Sequence, residues 1–146
     1  MPRTQAERSA ATQRALVSAA RRLWGERGYA EVGTPEIAEA AGVTRGAMYH
    51  QYADKAALFR AVIEAMDVEI IERIEASVAA AQPKTPAETM HAMAGAWLDI
   101  AGEPEVRQMM LVDAPSVIGW AEYREMSQNN SVEAAEQLLG AAVEAG

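Results

Sequence analysis

The stretch TPEIAEAAGVTRGAMYHQYADKAALF, residues Thr34–Phe59, decides how this chain is read. Thr34 is a good N-cap, and Pro35 fits the first helical position, where a missing N–H costs nothing. Ile37, Ala38 and Ala41 then mark one apolar face at helical spacing. Gly42 offers the left-handed residue that ends this helix, and Thr44 caps the next. In that second, very short helix Met48 and Tyr52 share the inner face, while Arg45/Tyr49 and Gly46/His50 stack outward. A helix so short is unstable alone in water and must be held by its neighbours.

Helix, tight Gly turn and helix is the arrangement that presents a recognition helix to the major groove. The next residues point the same way. Asp54 can cap a long third helix, which places Lys55 in its first turn. A cation there opposes the helix dipole unless an anion such as phosphate is bound. The alternative for Lys55 taken alone is a solvated surface position.

From about Thr12 to Phe59 the chain resembles the DNA-binding domain of the TetR family of bacterial transcriptional regulators. The aliphatic first helix, the GY turn at Gly28–Tyr29, IAEAAGVTRGAMYHQY and DKAALF stand at the family's spacings. The resemblance implies that Thr34, Thr44, His50 and Lys55 hold phosphates and that Arg45 reaches a base edge, guanine being the commonest partner of a bidentate guanidinium. It further implies that Gly46 lets the backbone approach the groove, that Tyr49 touches a phosphate or a thymine methyl, and that Gln51 takes a place where a phosphate contact also occurs.

Half of the 146 residues are apolar, Pro and Gly fall between periodic segments, and no stretch alternates as a strand does, so the fold class is all-α. Residues 1–60 hold nine Lys/Arg against six Asp/Glu, whereas residues 61–146 hold four against fifteen. A basic head on an acidic body confines the attraction for phosphate to one end. Arg3, Arg8, Arg14, Arg21, Arg22 and Arg27 all fall in the first helix and its arm. Cysteine is absent, which excludes disulfides and thiolate chemistry. The Arg-rich N-terminus does not read as a secretory signal, and no run approaches the roughly 20 apolar residues of a membrane span. A cytoplasmic location is expected.

Helix one is expected from about Ala6 to Arg27, with Leu16, Ala20, Leu23 and Trp24 inward. The helix from Asp54 carries Phe59, Val62, Ile63, Met66, Ile70, Ile74 and Val78 on one face and ends before Pro83. The domains are placed at 1–55, a three-helix helix-turn-helix head, and 56–146, a helical ligand-binding and dimerisation domain. In the latter Thr85–Glu88 reads as a capping box and Gly102 as a stop. Glu103-Pro104-Glu105 opens a helix to about Asp113, Pro115 and Ser116 restart the chain, and Ser131 caps a last helix carrying Val132, Ala135, Leu138 and Leu139. Family members continue through one more long helix. Against that pattern the chain stops early, so the stripe of the last helix is expected either to pack on the chain's own core or to form a smaller and weaker dimer contact.

Enzymatic readings find no footing. His50 is placed toward DNA, and His91 forms neither a metal spacing nor a nucleophile–base pair. No metal, cofactor or catalytic residue is expected. Glu64, Glu72 and Glu75 read as a solvated stripe. Met90, Met93, Trp97 and Ile100, then Met109, Met110, Trp120, Tyr123 and Met126, mix thioethers with large aromatics, as suits a pocket for apolar molecules of variable shape. Met93, Trp97, Trp120 and Tyr123 are the candidate ligand contacts; an ordinary helical core is the alternative. The expected function is a repressor that binds a palindromic operator in double-stranded DNA as a homodimer and is released by a small, mainly apolar effector. A helical protein-interaction module is the rival reading.

Overall fold

The computed structural model describes residues 4–127 and 133–145, and these residues are helical throughout apart from short turns. α1 (Gln5–Arg27) starts at a reciprocal cap: the Thr4 hydroxyl accepts from the Glu7 N–H, and the Glu7 carboxylate accepts from the Thr4 N–H. It stops at Gly28, whose φ of 85° suits a residue without Cβ. α2 (Thr34–Ala40) and α3 (Arg45–Gln51) are joined through Gly42 at φ 69°. α4 (Lys55–Ala81) is the long helix, capped by Asp54, whose carboxylate accepts from the Ala57 N–H at 2.7 Å. Its length is about 40 Å at 1.5 Å per residue.

Apolar periodicity explains how these helices close on one another. Leu16, Ala20 and Trp24 from α1, Ile37 from α2, Met48 from α3, and Leu58, Phe59 and Val62 from α4 are fully or almost fully buried. Burying each large side chain contributes about 1.5–3 kcal/mol, enough to hold the seven-residue α2 and α3 that could not persist alone. Trp24, Tyr29 and Phe59 meet with ring centroids 4.8–5.4 Å apart, and the Trp24 indole donates to the Val32 carbonyl at 3.2 Å. That cluster fixes the Gly28–Tyr29 turn against the start of α4.

Along α4 the same stripe continues through Ile63, Met66 and Ile70 into a second group of buried residues. α5 (Pro86–Ala101) packs beside it, capped by Thr85, whose hydroxyl accepts from the Glu88 N–H. The Glu88 carboxylate accepts from the Lys84 N–H, one residue before the position a reciprocal box requires. α6 (Pro104–Val106), a π-helical segment Arg107–Asp113 and α7 (Ala114–Val117) then follow without a break. Here the sequence expectation fails: Pro115 does not restart the chain. The wider π turns, closed by the Ala114 N–H on the Met109 carbonyl, accommodate a residue that has no N–H to return to the preceding turn.

α8 (Trp120–Ser127) follows Gly119, and α9 (Glu133–Ala145) packs on α5. The expected cap Ser131 and the stripe residue Val132 lie outside the described residues. Ion pairs tie the two halves together: Arg21 of α1 reaches Glu69 of α4 and Glu105 of α6, and Arg60 of α4 reaches Glu122 of α8. Among the described residues no helix is long and apolar enough to cross a membrane.

A candidate nucleic-acid interface and an apolar cavity

α3 is a helix anchored on one side and bare on the other. Met48 is fully buried, and Ser9 of α1 donates to the Gln51 side chain at 3.0 Å. On the opposite face Arg45, Gly46, Tyr49 and His50 are exposed. Thr44 opens the helix, its hydroxyl accepting from the Ala47 N–H at 3.0 Å. Tyr49 is fixed by its hydroxyl, 3.0 Å from that of Thr34. That bond first, and Arg45 second, hold its phenol below the ordinary value. The guanidinium of Arg45 therefore stands beside Tyr49 on the same outward face.

Beside this face the start of α4 is bound to the turn after α1. Lys55 donates to the Tyr29 carbonyl at 2.6 Å and lies 4.1 Å from the centre of the Tyr29 ring. The Tyr29 N–H donates in turn to Asp113 at 3.0 Å, and Gln108 donates to the other oxygen of the same carboxylate. Burial pushes the Lys55 ammonium below its ordinary value, and the charge of Asp113 opposes that shift.

Further along α4, a cavity of about 320 Å³ opens between α4, α5, the π segment, α8 and α9. Ile70, Ile74, Met93, Trp97 and Met110 form apolar wall, and Trp120 and Tyr123 of α8 line it as well. Trp97 and Trp120 retain 36% and 66% of their surface exposed, so they border open space instead of filling a packed core. Asp67, only 7% exposed, places a buried carboxyl on the lining.

Comparison with known proteins agrees with this architecture. The family profile described as bacterial regulatory proteins, tetR family, matches residues 16–62, and that of a tetracyclin repressor-like C-terminal domain matches residues 87–146. A solved TetR-family transcriptional regulator from Pectobacterium atrosepticum is 35% identical and superposes with a TM-score of 0.82, covering 97% of this chain and 71% of its own. The chain belongs to the TetR family of bacterial transcriptional regulators. Among characterised members, the HTH-type transcriptional regulator CymR of Pseudomonas putida is 40% identical over 82 residues, which make up 56% of this chain and 40% of CymR. The HTH-type transcriptional repressor BepR of Brucella suis is 44% identical over 63 residues, 43% of this chain and 30% of BepR. These alignments thus span well under half the length of those relatives.

Within this TetR-family fold the structure brings most of the expected residues together. Thr44, Arg45, Gly46, Tyr49 and His50 share one exposed surface at α3. Thr34 is not the N-cap of α2: Gly33 occupies that place without a side-chain bond, and Thr34 sits inside the first turn, buried, with its hydroxyl on Tyr49. Lys55 is half-buried, with its ammonium on the Tyr29 carbonyl. Gln51 serves the α1–α3 contact. Two of the N-terminal arginines are committed elsewhere, Arg21 to Glu69 and Glu105 and Arg27 to Glu36.

Met93, Trp97, Trp120 and Tyr123 all line the one cavity. Sequence reasoning missed Asp67 and placed Glu75 only on the solvated stripe; Glu75 is exposed but stands at the cavity's edge. The signal for Asp67 was present, since it lies four residues after Ile63 and three before Ile70, on the helix's inner stripe.

Proposed function

We propose that this protein is a transcriptional repressor that grips a two-fold-symmetric operator as a homodimer and lets go when a small, mainly apolar effector enters the cavity. The observation that carries the reading is the bare face of α3, with Arg45, Gly46, Tyr49 and His50 outward on a helix that the core holds from behind. Arg45 reads a base edge, where a bidentate guanidinium prefers guanine. Thr44, His50 and Lys55 take phosphates, and Thr34 contributes by holding Tyr49 in place. To reach a phosphate, Lys55 exchanges the Tyr29 carbonyl for an anion at the N-terminus of α4.

Switching follows from α4 belonging to both sites. Lys55 begins it, and Ile70 and Ile74 line the cavity about 22–29 Å further on. Half-sites recur about 34–36 Å apart, so a tilt of α4 that moves each head by a few ångströms breaks simultaneous contact. A homodimer is required because a single head reads only half a site. Exposed Leu98 and Val143, on α5 and α9, are apolar surface that a second copy can cover.

Selection of bound fragments from random DNA tests the reading. Enrichment of a palindrome with two half-sites one helical turn apart, lost when Arg45 is replaced by Ala, is the expected result. Absence of enrichment at low salt would leave the protein-interaction reading in its place.

A further inference from the structure

We propose that Thr34 and Tyr49 are positioning residues for base recognition: their linked hydroxyls aim the Arg45 guanidinium at its base edge, and neither hydroxyl is given to a phosphate. This deepens, and rests on, the reading of the exposed α3 face as the DNA-reading surface. The two hydroxyl oxygens lie 3.0 Å apart. Thr34 is 8% exposed in the first turn of α2, whose Ile37 and Ala38 are buried in the core. Its hydroxyl is therefore a fixed point, and a buried hydroxyl left without a partner is costly.

Tyr49 carries that fixed point to the outward side of α3. The residue remains 44% exposed, while its hydroxyl is bound back to α2. Arg45 stands one helical turn before it, at i and i+4 on the same face. Thr34 first and Arg45 second hold the Tyr49 phenol below its ordinary value, as befits an oxygen that receives hydrogen bonds. A guanidinium only donates, so Arg45 engages a lone pair of the phenol oxygen. The phenol O–H is the group a phosphate would need, and in the Thr34 oxygen it has an acceptor inside the fold.

The way Arg45 is held differs from that of other arginines in the fold. Arg21, Arg27, Arg60 and Arg73 are each fixed by a carboxylate, whereas among the described residues no carboxylate stands at ion-pair distance from Arg45. A neutral phenol suits a base reader, because it orients the guanidinium without neutralising the charge that the guanine O6 and N7 acceptors attract. A long side chain loses rotamer freedom on binding, and holding it beforehand reduces that loss. The gain falls to the base whose acceptors match the held fork, which makes the tether a source of selectivity. Gly46 and Ala47, next along α3, offer no polar side chain that could hold Arg45 instead.

The test uses the full chain, the palindrome selected from random DNA, and duplexes substituted singly along each half-site. Arg45→Ala first locates the base position that Arg45 reads, where the unmodified protein is expected to prefer the matching base about tenfold or more. At that position alone, Thr34→Val and Tyr49→Phe are each expected to cut the preference to about threefold or less, with the salt slope unchanged because no phosphate contact is lost. Thr34→Ser, which keeps the hydroxyl, retains the preference, and adding Thr34→Val to Arg45→Ala removes nothing further there. Weakening of all duplexes alike, with a slope lower by about one per protomer, would make the changed residue a phosphate contact and overturn the proposal. A loss in one variant and not the other overturns it too, since both break the same bond. Should Thr34→Val not fold, the exposed substitution Tyr49→Phe decides alone. If no position responds to Arg45→Ala, the reading of α3 fails and the proposal with it. A response to Arg45→Ala with full preference kept in Thr34→Val and Tyr49→Phe overturns the proposal only.

Discussion

The Asp113 carboxylate accepts the Tyr29 backbone N–H at 3.0 Å, so an acid of the second half holds the turn that closes the first helix. Tyr29 passes the contact on, because its carbonyl receives the Lys55 ammonium at 2.6 Å. Asp113 ends the π segment that also carries Met110, a residue of the cavity wall. A displacement of that segment by an effector therefore bears directly on the turn and on the first residue of α4. Replacing Asp113 by Ala is expected to cost about 1–3 kcal/mol of stability, as for the loss of a charge-assisted hydrogen bond. It should also shrink the effector's influence on DNA affinity, while affinity without effector stays within a few-fold. Titration of operator with and without effector measures the ratio, and an unchanged ratio would remove Asp113 from the switch.

Arg45 is the base reader of the account. Arg45→Ala should lose about 1–3 kcal/mol on the best operator and relax preference at one base position per half-site. A uniform loss on all sequences would make Arg45 a phosphate contact instead.

Lys55→Ala should weaken binding about equally on every sequence and lower the slope of log affinity against log salt by about one per protomer. An unchanged slope would mean that Lys55 never leaves the Tyr29 carbonyl.

Gly46 separates folding from binding. A Cβ at this position would meet nothing closer than the Thr44 hydroxyl at 3.9 Å, so the fold has room for it. Gly46→Ala should stabilise the free protein by up to about 1 kcal/mol through helix propensity, yet weaken operator binding if the backbone approaches the groove. Thermal melts and DNA titrations on the same variant check the two signs independently.

The bond from Arg21 is the largest influence holding the Glu69 carboxyl below its ordinary value. A carboxylate with a depressed folded pKa contributes stability that is full at neutral pH and is lost as pH falls below its unfolded value toward the folded one. The gap in melting temperature between the unmodified protein and Arg21→Gln should therefore narrow on acidification from about pH 5 to about pH 3. Because both side chains are partly exposed, the gap at neutral pH is modest. Parallel melting curves across that range would show that the pair adds nothing.

The head was legible from sequence because each of its elements is announced locally: Thr44 and Asp54 as caps, Gly42 as a left-handed turn, Met48 and Phe59 as inner residues. What escaped was settled by partners distant in sequence. Thr34 looks like a cap until Tyr49, fifteen residues later, takes its hydroxyl. Lys55 gives no sign in the sequence of the Tyr29 carbonyl, 26 residues earlier, that receives its ammonium. Pro115 looks like a break because the π turns that absorb it have no sequence period of their own. The four aromatic and thioether candidates were readable as a group, but only the packing of α8 and α9 shows that they surround space and that Asp67 faces them.

Whether the exposed face of α3 reads DNA is measured by binding of the full chain to its selected palindrome against a scrambled duplex of equal length across a salt series. The palindrome is expected to bind at least about a thousandfold more tightly at physiological salt, both affinities to fall with salt, and Arg45→Ala to collapse most of the difference. Equal affinity for the two duplexes, or a preference that survives Arg45→Ala intact, would contradict it.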